Sequence, residues 1–336
     1  MSDSTCFKLI LPVNDFTILV AQGALATAVA ATLDILSTAA ALAPRLKVAT
    51  PSWRVCALQK GPLRLSNGLS LHAQTLSRNE APDHSVWVIP GLATHTPGAV
   101  ETRLQQRDLI GAIPLLRSQV LGGGSVAASC SAVFLLQAAG LLRGRQATTT
   151  WWLASYLKTL EPDCQVDANR MVIADGPITT AGAAFAHADL MLQLLRVRCG
   201  AELADAVARM LLIDGREAQA PFIVPALLAS GNALVAELVA RIEAALPDIP
   251  NMATLAGDLC ISERTLARRI QAATGNSPSA LIQFVRLKRA RWLLETSQMS
   301  VDRIAEQVGY RDATALRRLM HKAFAATPRQ FRKLAS

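Results

Sequence analysis

Residues 255–294 read LAGDLCISERTLARRIQAATGNSPSALIQFVRLKRARWLL, and residues 301–333 read VDRIAEQVGYRDATALRRLMHKAFAATPRQFRK. In the first stretch Leu255, Ala256 and Leu259 give one apolar face of a short helix, Cys260-Ile261 forms a turn, and Ser262 is a good N-cap for the next helix. There Leu266 and Ile270, four apart, point inward and leave Arg264, Arg268 and Gln271 on another face. The second stretch repeats the pattern. Val301, Ile304, Ala305 and Val308 form the apolar face, Gly309 supplies a left-handed C-cap, and Asp312 caps the helix that follows. In that helix Leu316, Leu319, Met320 and Ala323 face inward, and Thr314, Arg317, Arg318 and His321 face out.

Two helix-turn-helix units are therefore expected, joined by a helix over Pro278–Glu295. A connector of that length spans roughly 27 Å at about 1.5 Å per residue. Successive major grooves on one side of a duplex lie about 34 Å apart, so such a spacer suits two recognition helices in neighbouring grooves. The charge agrees. Of the 34 Lys and Arg and 25 Asp and Glu, 16 and 9 fall from residue 232 onward, so most of the net charge of +9 sits in the C-terminal third. Nucleic acid is the natural partner of a small, basic, helical domain.

Working back toward the N-terminus, residues 214–225 (DGREAQAPFIVP) are polar with two prolines and read as part of a linker. Before them, strand-like runs (Phe16–Val20, Val86–Pro90, Ser125–Cys130) alternate with helix-like ones (Leu25–Leu36, Arg107–Arg117, Ala132–Leu142, His187–Arg198). That alternation predicts a mostly parallel sheet with helices on both faces. The expected division is an α/β domain over 1–213, a linker over 214–231 and an all-α domain over 232–336. Apolar runs are broken before the roughly 20 residues a membrane span needs, and Phe16–Leu33 reads as a buried strand followed by a buried helix. The first twelve residues do not read as a secretory signal. Six scattered cysteines without a CxxC pair argue against zinc and disulfides and fit a reducing cytoplasm. No cofactor or metal site is expected. Gly122-Gly123-Gly124 lacks a following Lys-Ser/Thr and reads as a flexible loop, not a phosphate cradle.

In residues 124–136 (GSVAASCSAVFLL) an apolar strand runs into a helix with Cys130 at the junction among small residues, as a tight, strained elbow requires. A helix N-terminus there would favour the thiolate. Cys130 reads either as a buried small hydrophobe or as the wall of a pocket.

The two C-terminal stretches resemble the AraC family of regulators. By position, the resemblance implies DNA contacts from Arg264, Ala267 and Arg268 and from Thr314, Arg317 and Arg318; Gln271 joins them by its place on the same helix face. Leu316 and Met320 stand where that family usually has phenylalanine, and Ala325 where it usually has glycine. The elbow, GRQATTTWW at 144–152 and DGPITTAG at 175–182 resemble the class I glutamine amidotransferase-like domain of the PfpI group. That resemblance implies a flavodoxin-like sandwich with a pocket at Cys130, lined by Ser131, Thr150 and Trp151. Members that keep chemistry have a histidine where Thr150 stands and an acid where Ala28 stands; a thiol nucleophile needs such a base. No catalytic residue is therefore expected. The other histidines match no catalytic motif, and His187 reads as structural. The reading is a cytoplasmic regulator that binds double-stranded DNA and a small-molecule effector, dimerises through its N-terminal domain, and contacts RNA polymerase if it activates. The rivals are a cysteine hydrolase or hydratase fused to a DNA-binding domain, and a protein-docking helical module.

Overall fold

The computed structural model describes residues 15–213, 233–274, 277–324 and 327–333; the linker expected at 214–231 lies outside them. Eleven strands are described: β1 (Phe16–Leu19), β2 (Trp53–Ala57), β3 (Leu63–Arg64), β4 (Ser70–Leu71), β5 (Gln74–Thr75), β6 (Val86–Ile89), β7 (Ser125–Ser129), β8 (Gln146–Ala147), β9 (Gln165–Val166), β10 (Val172–Asp175) and β11 (Ile178–Ala181). Seven form one sheet in the order β10-β11-β7-β6-β1-β2-β5. It is parallel except for the edge hairpin β10–β11, which turns at Gly176-Pro177. This is the flavodoxin-like order, with ligand sites expected beyond the carboxyl ends of the central strands.

Strand periodicity divides the core. Leu19, Trp87, Ile89, Val126 and Ala128 face one layer, which holds α2 (Pro97–Leu104), α3 (Arg107–Leu121), α4 (Val133–Ala138) and α5 (Ala154–Leu160). Phe16, Ile18, Val88 and Ala127 face the other, which holds α1 (Ala26–Leu46), α6 (Ala186–Cys199) and α7 (Ala201–Met210). Helix α1 is longer than its predicted span: it continues past Leu36 because Ala39 and Ala43 keep an apolar stripe on the sheet. At 21 residues and a mean hydropathy of 1.6 over its most apolar window, it is long and apolar enough to cross a membrane. Helix α4 stops at Ala138 instead of reaching Leu142. The glycine run is no flexible loop. A Cβ at Gly124 would lie 2.2 Å from Gln119 Nε2 and 2.8 Å from the Asp83 carbonyl, so this turn is tightly packed.

The C-terminal part is all helical among the described residues: α8 (Ala233–Ala244), α9 (Met252–Asp258), α10 (Glu263–Thr274), α11 (Pro278–Thr296), α12 (Val301–Gln307), α13 (Ala313–Phe324) and α14 (Pro328–Lys333). The two helix-turn-helix units share α11. Its first half gives Leu281 and Val285 to a core with α8, α9 and α10. Its second half gives Leu287, Ala290, Leu293 and Leu294 to a core with α12, α13 and α14. The apolar side chains of α11 thus serve two partners, while Arg289 and Trp292 stay exposed. Leu316 and Met320 are fully buried and fill the second core in place of aromatic side chains; Ala325 lies outside the described residues.

Candidate nucleic-acid interface and effector site

The caps set the orientation of both recognition helices. Ser262 Oγ accepts from Thr265 N at 3.2 Å at the start of α10, and Asp312 Oδ1 accepts from Ala315 N at 2.8 Å at the start of α13. The turns before them pass through left-handed backbone at Cys260 (φ 54°) and Gly309 (φ 81°). Burial of Leu266 and Ile270 turns the opposite side of α10 outward, leaving Arg264, Arg268 and Gln271 exposed and Ala267 half-buried. Burial of Leu316 and Met320 does the same for α13, where Thr314, Arg317 and Arg318 are exposed. All seven residues assigned from the sequence thus lie on these two helices, six of them exposed.

Cys130 sits where β7 ends, in left-handed backbone at φ 55°, and is 3% exposed. Such strain in a non-glycine residue marks the elbow predicted from its small neighbours. Gly91, after β6, makes room for it: a Cβ there would lie 2.9 Å from Cys130 Cβ. Cys130 N–H donates to the Gly182 carbonyl at 2.8 Å, and Thr149 Oγ1 donates to the Cys130 carbonyl at 2.8 Å. Burial pushes the thiol up to about 11, against the weaker opposing pull of the Ser131 N–H and hydroxyl. His187 is fully buried nearby, but its Nδ1 lies 2.8 Å from Ser129 Oγ and its Nε2 2.6 Å from Thr32 Oγ1.

Ser131 is fully buried with its hydroxyl toward the Cys130 thiol, and Thr150 is fully buried with no hydrogen-bond partner for its hydroxyl. Thr94 Oγ1 and Trp152 Nε1 are likewise buried and unpartnered. Thr94 belongs to the loop that begins at Gly91, and Trp152 stands two residues after Thr150, its ring 6.3 Å from that of His95. Unpaired buried polar groups are uncommon enough that each needs an explanation, and Thr94, Thr150 and Trp152 come from the two segments that approach Cys130 from β6 and from Thr149. Thr94 and Trp152 escaped the sequence reading because only the sheet order brings the ends of β6 and β7 together. Trp151 departs from expectation. It packs in the C-terminal hydrophobic cluster with Leu287 and Phe284, edge-on to Trp152 at 5.0 Å, and lines a cavity at the domain junction. The described residues hold no cluster of three or more His, Cys, Asp or Glu suited to a metal ion.

Comparison with known proteins agrees with both parts. The DJ-1/PfpI family matches residues 17–197, more than half of the chain, and a helix-turn-helix domain matches 255–334. The HTH-type transcriptional regulator CdhR of Pseudomonas aeruginosa is 27% identical over 289 residues, covering 83% of this chain and 81% of that protein. The HTH-type transcriptional regulator GlxA of Rhizobium meliloti is 29% identical over 283 residues, covering 81% of this chain and 82% of that protein. The HTH-type transcriptional regulator ArgR of Pseudomonas aeruginosa is 26% identical over 301 residues, covering 84% and 90%. This chain belongs to the DJ-1/PfpI family, and its DJ-1/PfpI domain is followed by an AraC-type helix-turn-helix domain.

Proposed function

We propose that this protein is a cytoplasmic DNA-binding transcription regulator whose DJ-1/PfpI domain binds a small effector at Cys130 and does no chemistry there. The observation that carries the DNA-binding half is the pair of capped helices, α10 and α13, each with exposed arginines one helical turn apart or adjacent and both anchored on α11. Arg264, Ala267, Arg268 and Gln271 would face one major groove, and Thr314, Arg317 and Arg318 the next. The names of the relatives support this reading.

The effector half rests on the unpartnered Thr94, Thr150 and Trp152. A bound molecule would complete their hydrogen bonds. Because an indole N–H only donates, that molecule carries at least one acceptor oxygen or nitrogen. Three features argue against turnover: the thiol is held protonated, His187 is engaged elsewhere, and Thr150 and Ala28 stand where the related enzymes carry base and acid. Dimerisation through the N-terminal domain and a contact with RNA polymerase complete the proposal.

The test is a salt-titrated mobility shift on duplexes recovered by genome-wide mapping of the protein's own sites. Specific binding that weakens steeply with salt, through counterion release, is expected. Salt-independent binding, or none, would exclude the DNA-binding reading. Turnover of an amide or aldehyde substrate that Cys130→Ser abolishes would favour the hydrolase instead.

A further inference from the structure

The backbone of Cys130 is gripped from both sides by segments that also pack against the C-terminal domain. Its N–H is held by the Gly182 carbonyl, and the next residue, Ala183, packs against the C-terminal cluster. Its carbonyl is held by Thr149, and two residues further Trp151 is buried in that cluster to 7% exposure. Trp152, edge-on to Trp151, packs against both the C-terminal cluster and the sheet layer beside α3 and α4. The segments hydrogen-bonded to the Cys130 backbone are thus tied at one end to the elbow and packed at the other against the cluster that holds α11.

We propose that the DNA-binding domain itself holds the Cys130 site shut through Trp151, and that the site opens when this indole leaves the C-terminal core. The proposal rests on Cys130 marking the effector site. A cavity of about 270 Å³ at the junction, bounded by Lys158, Asp167, Phe284 and Leu287 beside Trp151, gives the indole space to move without unfolding either core. Thr150 and Trp152, two of the unpartnered groups, belong to the same five-residue segment 148–152. An effector that bonds either one acts on the residues that carry Trp151, so occupancy of the site and docking of the DNA-binding domain are coupled. A ligand can shift that equilibrium only by its differential affinity for the open and shut forms.

The test needs neither effector nor DNA. The full-length protein is treated with iodoacetamide, and alkylation of each cysteine is followed by peptide mass spectrometry. Trp151→Ala should speed modification of Cys130 by about tenfold or more, as expected when a local closing contact is lost. Trp151→Phe should stay near the parent rate. Leu287→Ala, which removes apolar surface of α11 beside Trp151, should reproduce the acceleration from the C-terminal side. Cys56, fully buried in the same sheet, should keep its parent rate throughout. An unchanged Cys130 rate in Trp151→Ala and Leu287→Ala would overturn the proposal, as would acceleration of Cys130 and Cys56 together, which means general loosening. Because the readout is thiol access, its failure leaves DNA binding standing, and a failed mobility shift leaves the latch standing.

Discussion

Ser129 and His187 form a hydrogen bond of 2.8 Å that uses up an imidazole beside the elbow on the residue before the cysteine. Thr32 fixes the proton. Its hydroxyl donates to the Ala28 carbonyl at 2.9 Å, so at 2.6 Å it accepts from His187 Nε2–H, and Nδ1 accepts from Ser129. The neutral tautomer is fully engaged, bridging β7, α1 and α6 in the core. A base for a thiol must have a free lone pair within reach of it; here the lone pair at Nδ1 receives the Ser129 proton.

This arrangement makes stability pH-dependent. Burial lowers the His187 pKa from 6.5 to about 4. The unfolded chain therefore takes up a proton below pH 6.5 that the folded chain refuses until about pH 4. Stability from this group is complete above 6.5 and is lost as pH falls toward 4. At roughly 1.4 kcal/mol per pH unit, the full loss is about 3 kcal/mol. Urea melts between pH 7 and pH 4.5 should follow this slope, and His187→Gln should flatten it while lowering stability at pH 7. An equal slope in the variant would remove His187 as the cause.

Much of this was legible in the sequence. Short apolar runs placed β1, β6 and β7, and the Ser262, Gly309 and Asp312 signals placed both recognition helices and the faces of their arginines. What escaped was what depends on the third dimension. Nothing in Gly124 signals a packed turn until Gln119 and Asp83 are found against it. Trp151 reads as a pocket wall because its sequence neighbours surround Cys130, whereas α11, over a hundred residues away, provides its contacts. Helix α8 gives Val235, Leu238 and Ile242 to the first helix-turn-helix core, a role that only its packing against α9, α10 and α11 reveals.

A buried ion pair lies beyond the carboxyl end of β1. Arg103 grips both oxygens of Asp108 at 2.8 and 2.7 Å, Arg103 also donates to the Gln22 carbonyl at 2.7 Å, and Gln22 N–H donates to Asp108 at 3.2 Å. Burial alone would raise the Asp108 pKa, but the Arg103 hydrogen bonds and charge outweigh it and hold the carboxyl below its ordinary range. Its contribution is present above the ordinary value and is lost as pH falls through the lowered one. Arg103→Met should cost about 3–5 kcal/mol, because it leaves a buried charge unpaired, and a second change, Asp108→Leu, should restore much of it. Chemical denaturation of the three variants at pH 7 checks this; a double variant no more stable than Arg103→Met would show that the loop needs the pair itself.

The DNA face is tested arginine by arginine. Arg268→Ala and Arg318→Ala should each weaken operator binding by about 1–3 kcal/mol where the side chain contacts a base, and relax specificity there. A side chain on phosphate would instead weaken all sequences alike and lower the salt slope by about one. Fluorescence anisotropy on operator and scrambled duplexes at several salt concentrations separates the two. Parent-like affinity in both variants would move the interface off these helices.

Gly309 joins the two helix-turn-helix units at one backbone contact. It ends α12 at φ 81°, its N–H donating to the Glu306 carbonyl at 3.0 Å and the next N–H, of Tyr310, to the Ala305 carbonyl at 2.8 Å. A Cβ there would lie 2.6 Å from the Pro247 carbonyl oxygen, in the segment between α8 and α9, and 3.1 Å from the Arg286 guanidinium carbon. Arg286 stacks over the Tyr310 ring at 5.6 Å, so neither neighbour can yield without disturbing the seam between the units. Gly309→Ala adds to the left-handed penalty of about 1 kcal/mol a collision with backbone. Gly144→Ala is the control: φ is 69° there, but nothing lies within 4 Å of the added carbon. Gly309→Ala should therefore lose roughly 1–2 kcal/mol more than Gly144→Ala, with faster amide exchange confined to α8–α13 and weaker DNA binding. Equal losses in the two variants would mean that the seam at Pro247 relaxes freely, and that the spacing of the recognition helices is set by α11 alone.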